Sequence, residues 1–381
     1  MVKIVLITPI LQHYRLTFYE KLSKHSEDYD LNVFFGYKMK EDGRPSYEGE
    51  TKFKSTGFRE HKYRILPFDI VYNWGMFSAI KKLDPDIVIM QGIAGDLTNR
   101  RIIAWAKRKK KKIIIWACGW EPGRAKSLLL KFKNALVSTF FKKAHYFLTY
   151  STHASNYVHD MGISESIIDT CYNGIEIDEM VQNSELTLQR AGELRKELGL
   201  EGNITFLYVG GLIREKEPGL LVDAFENLRR KYDNIKLLII GDGPLRPDLE
   251  AQMKKYDDQN IKYLGRIIRD VDAYFAASDC FVLPGIGGLA LNQAMFWGKT
   301  CIVSKADGTE DDLVIEGLSG YRFKEHDLES LVSAMEKRIL EKPDRLKEMG
   351  ETSRRIITEK SNVNNMVDHF TKAIDKLASE I

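Results

Sequence analysis

A four-residue turn at positions 285–288 contains three glycines and stands directly before a segment with the composition of a helix. Without side chains in the way, several backbone N–H groups of such a turn can point at one anion, and the dipole of the following helix adds partial positive charge. Two cations, Arg214 and Lys216, follow another glycine turn at Gly210 and Gly211. Together these groups predict a binding site for a phosphate or a diphosphate.

Three apolar runs, two ended by glycine and one by Pro284 and Gly285, must position these groups. The runs occupy residues 204–209, 236–240 and 280–283. Short apolar runs bounded by glycine and proline are typical of buried strands, and the segment 289–297 is typical of a helix. The carboxyl ends of parallel strands meet at one edge of an α/β sheet, and ligands bind there. A glycine turn also serves as a simple tight connection, so no single turn establishes the site.

The order of motifs in this half of the chain resembles the nucleotide-sugar domain of glycosyltransferase family 4. Six segments match in order, at residues 208–216, 239–244, 263–267, 277–284, 288–295 and 317–323. The resemblance implies a GT-B fold, an α/β architecture in which two Rossmann-like domains face each other across a cleft. The first half of the chain resembles the family more weakly.

The resemblance implies a donor site for a UDP-sugar or a GDP-sugar on the second domain. It places the nucleotide base near Gly265, Arg266 and Ile267, the ribose near Gln293, and the diphosphate between the turn and Lys216. The predicted donor-binding residues are Gly210, Gly211, Gly265, Arg266, Ile267, Gly285, Ile286, Gly287, Gly288, Leu289 and Gln293. The predicted catalytic residues are Lys216, Arg214 and Glu121. No metal and no cofactor is expected.

The family's pattern is broken at three of these positions. The family usually carries two glutamates, spaced Glu-x7-Glu, and their positions fall on Gly285 and Gln293. The first glutamate normally contacts the transferred sugar and the second the ribose. Gln293 keeps hydrogen-bonding capacity without charge, whereas Gly285 has no side chain, so sugar recognition must differ from the usual scheme. An arginine often found beside the first turn falls on Gly211, which leaves Lys216 and Arg214 to face the diphosphate.

The first half begins with a predicted strand at residues 3–7, a loop, and an amphipathic helix that starts near Tyr14. Similar enzymes place an acceptor-facing loop here, so His13, Tyr14, Arg15 and Trp120 are the acceptor-side candidates. A lone loop histidine is more often an ordinary solvated residue. Further strands are predicted at residues 30–35, 86–90, 112–117 and 146–151, and further helices at residues 151–161, 186–198, 328–340, 344–359 and 363–378.

A second loop, after the strand at residues 112–117, carries another candidate. Relatives often show Trp-Gly-His-Gly here, and its histidine approaches the sugar. This chain has Cys118 in the histidine's place, so that role is either lost or passed to Glu121. Glu121 is equally well interpreted as an ordinary loop carboxylate.

Charge is concentrated between residues 100 and 143. This segment holds fourteen Lys or Arg residues and one acidic residue, a net charge of +13, against +3 for the whole chain. Lysines alternate with large apolar residues over 126–143, a composition that suits a helix on an anionic membrane surface. No base-reading motif accompanies the charge, which argues against nucleic acid as the partner. A solvated basic face above a buried apolar stripe remains the alternative.

Length and composition predict two domains and a reducing compartment. A chain of 381 residues with 44% hydrophobic content is long enough for two cores. We predict a first domain of residues 1–175, joined by the last helix at about 361–381, and a second domain of residues 176–360. The four cysteines show no metal spacing and are expected to be buried free thiols. No signal peptide or membrane-spanning run is visible, so we expect a cytoplasmic protein, peripheral on the inner face of the cell membrane.

These observations predict a metal-independent hexosyltransferase of class EC 2.4. It transfers a sugar from a nucleoside diphosphate sugar to a lipid-linked or cell-surface glycan precursor, as in polysaccharide biosynthesis, and the resemblance implies retention of configuration at the sugar. Two alternatives stay open: a catalytically silent nucleotide-sugar-binding paralogue, and a GT-B nucleotide-sugar epimerase. A nicotinamide oxidoreductase would need Gly-x-Gly-x-x-Gly after its first strand, and residues 8–13 contain no glycine.

Overall fold

The structure is a computed structural model that divides into two compact units. The first unit comprises Met1–Asn173 and Val363–Ile381, and the second comprises Gly174–Asn362. The domain boundaries expected from the sequence lie two residues away from these divisions. The described residues are 1–37, 46–65, 68–92, 96–116, 139, 141–256, 259–304 and 308–381.

The first unit is built on an eight-stranded sheet with the order β4-β3-β2-β1-β5-β6-β7-β8. All neighbours are parallel except β3 and β4, which pair antiparallel at one edge. The strands are β1 Val2–Thr8, β2 Tyr29–Tyr37, β3 Lys54–Ile65, β4 Phe68–Asn73, β5 Ile87–Gln91, β6 Lys112–Trp116, β7 Tyr146–Thr149 and β8 Ile168–Thr170.

Helices cover both faces of this sheet because its central strands are apolar on both sides. The helices are α1 Leu16–Lys24, α2 Met76–Leu83, α3 Leu97–Arg108, α4 Thr152–Asp160 and the C-terminal α14 Val363–Ala378. One core contains side chains of α1 and α14, and the other contains side chains of α2 and α3. In the first core the Phe370 ring of α14 meets the rings of Phe18 and Trp116 at centroid distances of 4.8 and 5.0 Å.

The second unit is built on a six-stranded parallel sheet with the order β11-β10-β9-β12-β13-β14. Its strands are β9 Ile204–Val209, β10 Ile235–Ile240, β11 Ile261–Tyr263, β12 Cys280–Leu283, β13 Thr300–Ser304 and β14 Gly320–Phe323. The three apolar runs of the sequence are therefore the neighbouring strands β10, β9 and β12. Their parallel pairing confirms that the three glycine turns meet at one edge.

Helices cover both faces of this sheet as well. They are α5 Asp178–Gln182, α6 Ser184–Glu197, α7 Pro218–Arg229, α8 Arg246–Tyr256, α9 Val271–Ala277, α10 Leu289–Phe296, α11 Thr309–Leu313, α12 Leu328–Leu340 and α13 Pro343–Lys360. Two clusters of buried side chains, one on each face, form the core of the unit. Helix α10, which follows the three-glycine turn, packs its Leu291, Ala294 and Met295 side chains into one of them.

Cys171, Cys280 and Cys301 are free and buried, as the sequence predicts. Burial raises the pKa of all three thiols, so they stay protonated at neutral pH and pack as small apolar side chains. Cys118 lies outside the described residues.

Candidate functional site

The site is assembled from the loops that follow β9 and β12. After β9 the chain passes Gly210 and Gly211 and forms a 3₁₀ turn at Arg214–Lys216. After β12 it passes Pro284 and reaches the three-glycine turn that precedes α10. Because β9 and β12 are adjacent parallel strands, the two loops leave the same edge of the sheet side by side.

Lys216 joins the two loops. Its ammonium group donates hydrogen bonds to the carbonyl oxygens of Ile286 at 3.0 Å and Gly287 at 2.9 Å. The lysine is half-buried, and its Nζ would lie 3.5 Å from a Cβ atom placed on Gly288. The structure therefore brings Lys216 to the three-glycine turn, seventy positions away in sequence. Arg214 lies on the same 3₁₀ turn and is exposed.

The backbones of the two loops touch at Gly285. A Cβ atom placed on Gly285 would lie 2.1 Å from the carbonyl oxygen of Glu215 and 2.8 Å from the Cα atom of Lys216. Both neighbours are backbone atoms and cannot turn away as a side chain would. Position 285 therefore has room for glycine alone. The missing first glutamate of the family pattern is thus a consequence of how closely these loops pack.

One amide of the turn does not face an anion. We expected the N–H group of Ile286 to be bare, but it donates a hydrogen bond of 2.9 Å to the carbonyl oxygen of Glu215. The sequence prediction for this group is therefore wrong, because the close packing at Gly285 brings the Glu215 carbonyl within reach. Among the described residues, no acceptor is bonded to the N–H groups of Gly287 and Gly288. These two groups and the first turn of α10 carry the anion-binding potential of the loop.

A buried carboxylate, which the sequence analysis missed, lies against the same turn. Glu310, in α11 after β13, is fully buried, and its Oε1 atom would lie 2.0 Å from a Cβ atom placed on Gly287. The neighbouring Asp311 forms an ion pair with Arg322. The acidic run of Glu310, Asp311 and Asp312, one residue after Gly308, was the signal in the sequence. The sequence does not show that this run packs against the three-glycine turn, because that contact depends on the fold.

The remaining donor-side candidates lie on the same unit. Gly265 follows β11 with a left-handed φ of 68°, and its carbonyl oxygen accepts the N–H group of Gly241 at 2.8 Å. The next residue, Arg266, is exposed, while Ile267 is half-buried. Within α10, Leu289 and Gln293 are half-buried. Three further hydrogen bonds connect the loops at this edge. They run from Gly210 N–H to Ile240 O at 3.0 Å, from Leu212 N–H to Asp242 O at 3.0 Å and from Tyr208 Oη–H to Gly211 O at 2.9 Å.

Of the acceptor-side candidates, three lie within the described residues. His13 and Tyr14 are exposed, and the His13 ring lies 5.9 Å from the Tyr47 ring. Arg15 is only 4% exposed. Its guanidinium lies 4.2 Å from the centre of the Trp116 ring. Glu121 and Trp120 lie outside the described residues.

The basic segment at residues 100–143 is described only in part. At the end of α3, residues 107–110 are exposed. Two lysines of the run are engaged in ion pairs, since Lys111 lies 3.2 Å from Asp84 and Lys112 lies 2.6 Å from Glu380. Part of the positive charge is therefore paired with carboxylates of the first unit.

Neither a metal cluster nor a membrane span is found in the described part of the chain. There, no group of three or more His, Cys, Asp or Glu side chains is arranged to hold a metal ion. Across the same residues, every helix is too short or too polar to cross a membrane.

A comparison with known protein families finds a match within the second unit. Residues 191–356 match the model of the family described as glycosyl transferases group 1. The match covers less than half of the chain, and over these residues the chain is similar to that family. The matched region contains the three glycine turns, Lys216, Gln293 and Glu310, and the match agrees with the glycosyltransferase resemblance found in the sequence.

Curated relatives share part of their length with this chain. An uncharacterized glycosyltransferase of Methanocaldococcus jannaschii is 30% identical over 114 residues, which cover 30% of this chain and 27% of the relative. The alpha-monoglucosyldiacylglycerol synthase of Streptococcus pneumoniae is 27% identical over 162 residues, which cover 41% of this chain and 36% of the relative. The chain thus spans well under half the length of these two relatives.

A solved structure resembles the whole chain. HepE of Anabaena, in a complex with UDP, is similar with a TM-score of 0.73 at 13% identity, and the similarity covers 99% of this chain and 100% of HepE. This likeness confirms the predicted fold class, GT-B with two α/β domains. The first and second units are therefore the two α/β domains of that fold.

Proposed function

We propose that this protein is a glycosyltransferase that transfers a hexose from a UDP-sugar or a GDP-sugar to an acceptor hydroxyl group. The observation that carries the proposal is the contact between Lys216 and the three-glycine turn at the start of α10. The match to the group 1 family and the fold shared with a UDP-bound protein support it.

The chemistry needs positive charge where the leaving group forms. The bond between the anomeric carbon and the diphosphate oxygen breaks, and the nucleoside diphosphate leaves with the electron pair. The acceptor oxygen forms the new bond to the anomeric carbon and gives up its proton to the leaving diphosphate or to solvent. Lys216, the N–H groups of Gly287 and Gly288 and the dipole of α10 stabilise the charge that develops on the diphosphate. These groups are fixed before the reaction, so little reorganisation is required.

The proposal includes no metal and no organic cofactor, because a lysine and main-chain donors supply the charge. Retention of configuration at the anomeric carbon is part of the proposal through the family resemblance. Gly285 and Gln293, in the places of the two family glutamates, mean that the sugar is recognised by other groups.

The acceptor in this proposal is a lipid-linked or cell-surface glycan precursor. The basic segment 100–143 supports it, and residues 107–110 are exposed within the described part of that segment. One relative is a synthase of a glucosylated diacylglycerol, by its name, which also favours a lipid acceptor. Each basic residue near an anionic membrane contributes about 1 kcal/mol, so even a few of them would hold the enzyme at the cytoplasmic surface.

A two-step experiment tests the function. First, a panel of UDP-sugars and GDP-sugars is screened for a rise in the thermal midpoint, which reports binding to the folded state. Second, release of the nucleoside diphosphate from the donor that binds is measured with membrane lipid extract as acceptor. We expect release that depends on the extract and a new glycosylated lipid. Failure of every donor to bind would reject the proposal.

A second candidate, a protein that binds nucleotide sugars without transferring them, has one observation in its favour. Gly285 has no room for the family's sugar-contacting glutamate. Donor binding without release in any acceptor mixture would favour this candidate. An epimerase would instead convert the donor to an isomer without any acceptor. Analysis of the sugar after incubation of the donor alone therefore distinguishes an epimerase from both a transferase and a binding protein.

A further inference from the structure

The first unit contains a buried cation without an acidic partner. Arg15, at the end of the 3₁₀ turn His13–Arg15 and directly before α1, is 4% exposed. Its Nε–H group donates to the Gln12 side-chain oxygen at 3.2 Å, and its Nη2 group donates to the Tyr150 hydroxyl at 2.8 Å. Its Nη1 atom is buried and has no hydrogen-bond partner. Within the described residues no carboxylate pairs with the guanidinium.

Further donors surround this cation. The guanidinium lies over the ring of Trp116, which is fully buried, and the indole Nε1–H group also has no acceptor. The Tyr150 hydroxyl accepts from Arg15, so its own proton is available to another acceptor. Burial raises the pKa of Tyr150, which keeps that proton in place at neutral pH. The cluster therefore offers hydrogen-bond donors and positive charge, with too few acceptors to satisfy them.

An isolated buried charge costs several kcal/mol, and buried polar groups are almost always satisfied. Interaction of the cation with the Trp116 ring offsets part of this cost but leaves the Nη1 and Nε1 donors unused. Without a bound ligand, an apolar side chain at position 15 would stabilise the folded protein at least as well as this arginine does. The missing component is an anionic acceptor.

The position of the cluster within the first unit also indicates a ligand. Arg15 lies in the segment after β1, Trp116 is the last residue of β6, and Tyr150 directly follows β7. These strands belong to one parallel run of the sheet, so their carboxyl ends share one edge. Ligands of α/β sheets bind at that edge. Exposed His13 and Tyr14 next to Arg15 give the cluster a polar surface toward solvent.

We propose that the Arg15 cluster, defined as Arg15, Trp116 and Tyr150, binds an anionic oxygen group, a phosphate or a carboxylate, of the acceptor. The proposal rests on the proposed function insofar as the anion belongs to an acceptor. Within the described residues the Nη1 group has no acceptor, and Nη2 uses one of its two N–H groups for Tyr150, so the guanidinium keeps donors for a carboxylate or a phosphate. A tetrahedral phosphate, whose oxygens point in several directions, can reach separate donors.

The test uses the full-length Lys216→Ala protein, in which the donor site is weakened, so that anion binding there does not obscure the result. Inorganic phosphate and glucuronate are titrated separately at constant ionic strength, and binding is followed by calorimetry and by the thermal midpoint. We expect phosphate to bind and to raise the midpoint. Arg15→Met in the same background should weaken phosphate binding about tenfold or more, since charge-assisted hydrogen bonds are lost. Tighter binding of glucuronate than of phosphate would assign the group as a carboxylate.

Two further measurements separate binding from a structural role. Without ligand, the Arg15→Met midpoint should equal or exceed that of the parent, because an unpaired charge is replaced by an apolar side chain. Arg15→Lys keeps the charge and should retain measurable phosphate binding. A lower midpoint or a failure to fold in Arg15→Met, or unchanged anion binding in that variant, would overturn the proposal. Arg15→Met in a protein that keeps Lys216 should bind UDP as tightly as the parent does. This measurement reports on the donor site alone, so a failure of the proposed function is distinguished from a failure of the Arg15 proposal.

Discussion

Replacing Lys216 by alanine tests the donor site at the residue that links its two loops. The ammonium group is the one cation bonded to the three-glycine turn in the part of the chain that the structure describes. Loss of one preorganised donor to a developing anion typically costs about 3 kcal/mol of transition-state stabilisation. We therefore expect turnover to fall by roughly two orders of magnitude, with a smaller change in KM, because the charge on the diphosphate grows in the transition state.

The same substitution removes two hydrogen bonds to carbonyl oxygens, at 2.9 and 3.0 Å. Both bonds are partly exposed, so their loss should lower the free energy of unfolding by only about 1 kcal/mol. Lys216→Arg keeps the charge on a planar, differently shaped group, and turnover should fall by roughly tenfold. Lys347→Ala, which removes an exposed lysine of α13 in the same unit, is the matched control and should leave turnover unchanged.

The assay measures release of the nucleoside diphosphate at saturating donor, with water and with membrane lipid extract as acceptors. Urea unfolding of each variant is measured in parallel, so that a loss of activity is not mistaken for a loss of fold. A fall of less than fivefold in Lys216→Ala, with donor in excess and the protein folded, would remove Lys216 from the proposed role.

Three further predictions follow from the site and from the first unit. Gly285→Glu, which restores the family's first glutamate, should lower the free energy of unfolding by about 1–3 kcal/mol in urea titrations, because its Cβ atom would lie 2.1 Å from a backbone oxygen. Gly211→Arg is the matched substitution to Gly285→Glu, since the nearest atom to a Cβ placed on Gly211 is 3.9 Å away. This variant should fold normally and bind UDP about tenfold more tightly than the parent. Weaker UDP binding would contradict the geometry. Burial raises the pKa of Asp96 to about 6 from an ordinary value of 3.8, so the folded state holds this proton more tightly than the unfolded state. The stability that the protonated Asp96 carboxyl confers is fully present below about pH 4, and about 3 kcal/mol of it is lost as the pH rises through 6. Asp96→Asn should flatten this decline in urea titrations from pH 4 to pH 7. An unchanged slope would refute the assignment of the raised pKa to Asp96. Replacing Lys109 and Lys110 by serine should weaken binding to phosphatidylserine vesicles by roughly thirtyfold in sedimentation at low salt, and equal binding would exclude this part of the basic segment from the membrane contact.

The sequence predicted the second unit well because its strands are buried on both faces. Residues 204–209, 236–240 and 280–283 are mainly apolar runs that end sharply at Gly210, at Gly241 and at Pro284 with Gly285, and all three are strands in the structure. The antiparallel pair β3 and β4 was missed. Strand β3 contains Lys54, Arg59 and His61 among few apolar residues, as is typical near the edge of a sheet, so its pattern has no clear period.

The candidate site was predictable only where it depends on strand order. Adjacent parallel strands bring their following loops together, so the approach of Lys216 to the glycine turn follows from the pattern of apolar runs. The pairing of the Ile286 N–H group with the Glu215 carbonyl depends on the contact between two loop backbones. The burial of Glu310 against Gly287 depends on where α11 packs. Neither contact leaves a periodic signal in the sequence.

Hydrogen exchange of single backbone amides, measured with and without UDP, tests the donor site most directly. If the diphosphate lies on the three-glycine turn, exchange of the N–H groups of Gly287, Gly288 and Leu289 should slow when UDP binds, while that of Ile286, already bonded to Glu215, should change little. UDP that binds without slowing exchange at Gly287, Gly288 and Leu289 would contradict the account.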